Sequence, residues 1–367
     1  MASHADTPAP RPVISGWAVA SPYGLGRDDF VAGLIDGRRA VEPLDTAVWP
    51  VPYEAAGLIP GFDIRAVLGR KGTRSLDRVA GIAAATVGML LEELEQYGSS
   101  LAAQAESTGL VLGTSGSVQS IMDFTRDALT GDKPYLVDPA RFPNTVMNFP
   151  AGQSAIRHSL KGPNVTVSGG AVTALLALQY ASRLLRGGHA RALLAGAVEE
   201  FSVQRARLEH AADHGGTEPQ PLGEGGAFFL LEDADTAREA GRPVLARVLG
   251  SRFRAFRDTG RAGPALERCV ADVLADAGAA PGDVELLAPG TPPGLLGKQE
   301  ESALDGLTGN RLPVRSLIGD AGAAAAAFQL AGVLAEARTD PRMVDRLALV
   351  TAVDRDGTTG ALLLRLS

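Results

Sequence analysis

The chain has 367 residues, 45% hydrophobic and 21% charged, an ordinary globular composition with enough apolar material for a large core. A formal net charge of −7 and a pI near 5.4 argue against non-specific nucleic-acid binding, and no arginine–aromatic cluster offsets them. The single cysteine, Cys269, excludes an intrachain disulfide and a cysteine-rich metal site.

Residues 1–12 are polar and proline-rich, predicting a disordered lead-in without a secretory pattern. The longest apolar stretches, 171–178 and 323–334, fall short of the roughly 20 residues a membrane span needs, so a soluble cytoplasmic protein is expected. Strands are predicted over 13–19, 108–113, 192–197 and 226–232. Helices are predicted over 27–37, over 76–97 and from the end of Thr114-Ser115-Gly116-Ser117 to about 129. Residues 132–148, rich in Pro, Asn and Asp, predict an irregular excursion. His210 and His214 stand four apart, but Asp213 and Gly215-Gly216 beside them predict a loop, so neither metal nor cofactor is expected. The second half repeats the alternation: strand 243–251, helix 264–277, strand 284–288, helix 298–307, and helix 321–337. Strands 347–353 and 361–366 then close around Asp354-Arg355-Asp356-Gly357 as a hairpin turn.

The segment 162–180 carries the most chemistry. It predicts a buried strand, a tight glycine turn at Gly169-Gly170, and a helix. Such an elbow presents one side chain at a helix N-terminus, where backbone N–H groups and the dipole favour a thiolate or an oxyanion. Ala171 occupies the presenting position and has no lone pair to offer. A second helix, after Asp320, is small and apolar on every side, and helices of that kind are buried. Two such helices at matching places predict a duplicated α/β fold with halves at 13–235 and 236–367.

These residues resemble the β-ketoacyl synthase family of the thiolase fold. The carriers are Val13-Ile14-Ser15-Gly16, Ser21-Pro22-Tyr23-Gly24, Ser75-Leu76-Asp77-Arg78, Leu112-Gly113-Thr114, and Phe142-Pro143-Asn144-Thr145-Val146. Ile156-Arg157-His158-Ser159-Leu160-Lys161-Gly162-Pro163-Asn164 and Pro221-Leu222-Gly223-Glu224-Gly225 complete the set. The resemblance implies a thiolase-like duplicated five-layer α-β-α-β-α sandwich. It also implies an elbow cysteine that takes the acyl chain and two histidines that assist malonyl decarboxylation. Here the elbow reads Gly169-Gly170-Ala171. The first histidine loop reads Pro289-Gly290-Thr291-Pro292-Pro293, and the second reads Arg315-Ser316-Leu317-Ile318-Gly319-Asp320. The family's Gly-Phe-Gly-Gly gate gives way to Asp356-Gly357-Thr358-Thr359-Gly360. With Ala171, Pro289 and Asp320 at the three positions, condensation by this chain alone is not expected.

That pattern is similar to a chain length factor, the cysteine-less ketosynthase-like subunit of type II polyketide synthases. Such subunits pair with a catalytic ketosynthase and complete the tunnel for the chain delivered by acyl carrier protein. Alanine stands where the aromatic-pathway subunits usually have glutamine, so a polyene or other reducing system fits at least as well. By resemblance, Gly116, Gln119, Met122 and Arg126 face the tunnel from one side of a helix. Arg141, Phe142, Asn144, Met147 and Phe149, with Val165 and Val167 of the elbow strand, border the partner. Asp320 is expected to cap its helix rather than to act as an acid or base. His158 is expected to be structural, Cys269 a core residue, and Glu224 a pocket-floor residue with its charge satisfied. Two alternatives remain open. One is a malonyl carrier decarboxylase, with oxyanion donors from Ser168, Thr291 or the elbow N–H groups. The other is a homodimeric binding protein for acyl or carrier ligands.

Overall fold

The computed structural model describes residues 12–97, 101–131, 133, 135–212 and 220–367. The predicted tail, apart from Pro12, lies outside the described residues, and so does His214. The main strands are β1 (Pro12–Ser21), β2 (Thr108–Gly113), β3 (Asn164–Val167), β4 (Ala192–Glu199) and β5 (Gly225–Asp233). They continue as β6 (Ala246–Ala255), β7 (Val284–Ala288), β8 (Asn310–Arg311), β9 (Leu347–Asp354) and β10 (Thr358–Leu366). The main helices are α1 (Arg27–Ile35), α2 (Arg78–Glu95), α3 (Val118–Thr130), α4 (Phe149–Arg157) and α5 (Thr173–Arg186). After them come α6 (Val203–Ala212), α7 (Ala262–Ala277), α8 (Gly294–Ala303) and α9 (Ala325–Thr339).

The strands run β3-β2-β4-β5-β1 in one half and β8-β7-β9-β10-β6 in the other. Adding five to every label in the first order gives the second, so the duplication expected from two buried helices is present in the sheet topology. The halves meet where β1 pairs with β6 through Val13↔Arg247 and Ile14↔Ala246. Strands β2 and β4 are parallel and buried at every residue, as continuous apolar runs are when both faces are covered.

Side-chain alternation along the strands builds the layers. On β2, Leu110 and Leu112 face α2, packing with Val79, Ile82 and Leu90, whereas Val111 faces α5, with Leu175 and Leu178. On β9, Leu349 joins Leu266 and Val273 of α7, whereas Val350 joins Phe328 and Leu330 of α9. Helix, sheet, helix, sheet, helix is the resulting stack. Helix α9 is buried from Ala326 to Ala335, as its uniformly small apolar sequence predicts.

Several boundaries differ from the sequence expectation for local reasons. Helix α2 starts at Arg78 because the Asp77 carboxylate accepts the Ala80 N–H at 3.0 Å and caps it. Helix α8 covers Gly294–Ala303 instead of 298–307, beginning as soon as Pro292-Pro293 ends. Strand β6 begins at Ala246, beyond Pro243, which lacks a ladder donor. His210 lies on α6, where a loop was expected.

Candidate functional site

Strand β3 ends at Val167, and the chain turns through Gly169 and Gly170 into a short 3₁₀ turn, Gly170–Val172, that feeds α5. The Thr173 hydroxyl pins the turn: it accepts the Gly169 N–H at 2.9 Å and donates to the Gly170 carbonyl at 2.6 Å. Ala171 is half-buried at the presenting position. Its N–H donates to Asp354 Oδ2 at 2.7 Å, across 183 residues of sequence. The other oxygen, Oδ1, accepts the Asp356 N–H at 2.9 Å. Gly170 has φ +59°, and a Cβ there would overlap the Asp354 carboxylate, so both backbone angle and space require glycine. Burial raises the Asp354 pKa, while the two N–H bonds pull it back.

The other two altered positions are held the same way. Pro289 follows β7, and the next two N–H groups, of Gly290 and Thr291, donate to the Glu300 carboxylate at 3.0 and 2.6 Å. The Thr351 hydroxyl adds a third bond to Glu300, at 2.7 Å, and together they hold Thr291 at φ +46°. Burial raises the Glu300 carboxyl above its ordinary range against these bonds. Asp320 Oδ1 accepts the Gly322 N–H at 2.9 Å, at the start of the 3₁₀ turn Gly322–Ala324, whereas α9 itself begins at Ala325 without a side-chain cap, because that turn intervenes. Its Oδ2 accepts from Arg315 at 2.6 Å. Burial alone would raise this carboxyl, but Arg315, Arg205 and the Gly322 N–H hold it below the carboxylate range. The loops converge: the elbow turn packs on β9 and on the turn before α9, and Gly290 faces Ala352 of β9. The N–H groups of Ala171 and Thr291, which a decarboxylase would aim at an oxyanion, both end on carboxylates of this chain.

Beneath α3 lies an acidic cluster that sequence reasoning missed. Glu200 is 1% exposed; its Oε1 accepts from the Ser117 hydroxyl at 3.0 Å and the Gln119 N–H at 3.3 Å. Burial and the Asp77 charge push its pKa up to about 8 despite those bonds. A carboxyl raised on folding contributes stability that is full below the ordinary carboxylate range and lost as pH rises to about 8. Glu200→Gln is therefore expected to be neutral in acid and to gain on the order of 3 kcal/mol relative to the parent above the folded pKa. Denaturant melts across that pH range check this, and a pH-independent difference would refute it. The charge of Glu224 is satisfied as expected: fully buried, it is ion-paired to Arg78 and accepts the Ile59 and Phe201 N–H groups at 2.9 and 3.0 Å.

Of the residues expected at the tunnel, Gln119, Met122 and Arg126 share one stripe of α3, whereas Gly116 lies outside the helix. Gly116 precedes the helix, buried at φ +80°, because Ser117 caps α3. Gln119 turns inward, donating to Asp123 at 2.6 Å and accepting the Gln204 N–H at 3.4 Å. Met122 is exposed, and Arg126 is exposed and pairs with Asp123 and Asp127. Of the residues expected at the interface, Phe142 is 56% exposed and packs edge-on against Phe124, and Met147 is 41% exposed. Arg141 pairs with Asp127, and Asn144 Nδ2 donates to the Ser75 carbonyl at 2.8 Å. Phe149, at the start of α4, is buried within its own chain. Val165 and Val167 are half-buried on β3, which ends the sheet with its outer edge unpaired among the described residues.

His158 bonds the Ala84 carbonyl at 2.8 Å against α2, and burial lowers its pKa. Cys269 is a core residue whose thiol burial pushes up to about 11. Among the described residues no cluster of His, Cys, Asp and Glu could hold a metal, and no helix is long and apolar enough to cross a membrane.

Duplicated sheets around two buried helices, with an elbow behind the edge strand, define a ketosynthase-type thiolase fold. The chain belongs to the β-ketoacyl synthase family, whose N-terminal domain model matches residues 11–219. It is 42% identical to a solved structure described as the ishigamide ketosynthase/chain length factor. That match has a TM-score of 0.91 and covers 97% of this chain and 99% of the other. A type II polyketide synthase ketosynthase–carrier complex, AntDE:AntF, matches at 18% identity and TM-score 0.81 over 98% of this chain and 100% of that one, a likeness of fold. Curated relatives include 3-oxoacyl-[acyl-carrier-protein] synthase 2 of Vibrio cholerae, 27% identical over 65% of this chain and 62% of the relative. The same enzyme of Rhizobium meliloti is 26% identical over 94% and 91%. The chain thus spans under two thirds of the Vibrio relative's length.

Proposed function

We propose that this chain is the non-catalytic chain length factor of a type II polyketide synthase. In this reading it pairs with a ketosynthase carrying the cysteine and two histidines and shapes the tunnel that sets chain length, in a polyene or other reducing pathway. Acyl carrier protein is engaged through the complex. The observation that carries the reading is the elbow: its geometry is kept while Ala171 offers no nucleophile and its N–H is spent on Asp354. The likeness to a ketosynthase/chain length factor over nearly the whole chain supports it.

The surface around β3 favours a paired subunit. Phe142 and Met147 stand exposed, and so do Ile156 of α4 and Tyr180 of α5, the helices packed against β3. An open strand edge flanked by exposed apolar side chains is a liability unless a partner covers it. The Thr166 hydroxyl on β3 is buried without a hydrogen-bond partner. The decarboxylase alternative is disfavoured because the Ala171 and Thr291 N–H groups are already occupied.

Co-expression with a Cys-His-His ketosynthase is the test. The expected result is a 1:1 heterodimer by size exclusion and mass, with poor solubility of this chain alone. A stable homodimer that never exchanges with the ketosynthase would overturn the pairing, and CO₂ release from malonyl carrier protein by the chain alone would restore the decarboxylase. In the intact pair, Met122→Trp and Gly116→Trp are expected to shorten the product. Unchanged product length would refute tunnel lining.

A further inference from the structure

We propose that Asp354 is a built-in anionic ligand of the elbow, bound where a thioester oxygen would otherwise sit, and that it keeps acyl and malonyl thioesters off this subunit. The inference goes beyond the pairing proposed above and does not depend on it. An elbow N–H at a helix start is a donor aimed at developing negative charge. Here that donor is met at 2.7 Å by a carboxylate. A bond to an ionised acceptor is stronger than one to a neutral carbonyl oxygen, and an intramolecular ligand loses no translational freedom on binding. A thioester oxygen would have to displace it.

The placement is built from both sides. Gly170 leaves the space the carboxylate fills. On the hairpin, Oδ1 is tied to the Asp356 N–H, and Arg355 reaches the other way to Glu209 of α6 at 2.8 Å. The charged groups around the carboxylate are thus Asp356 and Arg355 on its own hairpin, with Glu209 engaged by Arg355. One consequence reaches the nucleophile itself. A cysteine restored at position 171 would face a negative charge, which disfavours its thiolate. The loss at the elbow is therefore double: the nucleophile is absent, and its donor is occupied.

The test uses the full-length chain carrying Ala171→Cys, alone and combined with Asp354→Asn. Alkylation of the introduced thiol by neutral iodoacetamide and anionic iodoacetate is followed by peptide mass spectrometry near neutral pH. Buried Cys269 serves as the internal control. Relief of one pKa unit raises the thiolate fraction about tenfold, so Asp354→Asn is expected to speed iodoacetamide alkylation by about that factor. The iodoacetate-to-iodoacetamide rate ratio in Ala171→Cys is expected to fall several-fold below that of free cysteine and to recover in the double variant. Equal rates in the two backgrounds, with both folded by circular dichroism, would overturn the proposal. Should the double variant not fold, the reagent ratio in Ala171→Cys alone decides, and a ratio equal to that of free cysteine refutes it.

Discussion

Glu224→Ala is expected to cost about 3–5 kcal/mol, the range for breaking a buried ion pair from one side. The glutamate is fully buried and joins three distant segments: Arg78 at the start of α2, Ile59, and Phe201 just beyond β4. Removing it leaves the Arg78 guanidinium without its counter-charge and two backbone N–H groups without acceptors, each a desolvation cost of its own. A domain's whole stability is roughly 5–15 kcal/mol, so the variant should be soluble only in small yield or unfold at much lower denaturant. Glu224→Gln, which keeps the size and one carbonyl acceptor, should lose less. A shift in ΔG of unfolding below about 1 kcal/mol for the alanine variant would show that water or a rearranged Arg78 replaces the carboxylate.

Arg242→Ala should cost a similar amount, about 3–5 kcal/mol, at a place remote from the elbow. Both side chains of the Arg242–Glu232 pair are wholly buried, and the Ser15 hydroxyl donates to the same carboxylate. Glu232 sits on β5 opposite Val13 of β1, beside the short pairing that joins the two halves of the sheet. The charge left behind on Glu232 dominates the loss. Replacing both partners by apolar residues of similar volume, Arg242→Met with Glu232→Leu, should therefore recover most of it. A denaturant double-mutant cycle measures this, and a double variant no better than Arg242→Ala would place the stabilisation in the pair itself.

Much of the scaffold is legible in the sequence because its signals are local. The elbow glycines, the largely apolar helices α5 and α9 and the buried runs of β2 and β4 each announce themselves within about a dozen residues. The three altered positions, 171, 289 and 320, are legible for the same reason, although Asp320, expected to cap its helix, accepts instead the Gly322 N–H of the turn before it. What fills the site is not. Asp354 reads as an ordinary turn residue, and its bond to Ala171 spans 183 positions; Thr351 and Glu300 meet across 51. Nothing in a one-dimensional pattern marks which acid folds back onto which N–H. Gly170 beside a presenting alanine was the one available clue, since a glycine makes room for something. Of the face assigned to Gly116, Gln119, Met122 and Arg126, the last three do share one stripe of α3, whereas Gly116 falls ahead of the helix on a capping detail. Ser117 ends the loop one residue after Gly116, and Gln119 satisfies its amide inward.

The repeated sheet order leaves each half with a terminal strand, and the two are unequal. In the first half it is β3, four residues long, backed by core and flanked by exposed Ile156 and Tyr180. In the second it is β8, two exposed residues, Asn310 and Arg311, too short and too polar to template another strand. Duplication alone would have given a molecule with two equivalent docking edges, able to string copies end to end without limit. Shrinking one edge to a polar stub leaves β3, among the described residues, as the one end of this sheet long enough to template another strand.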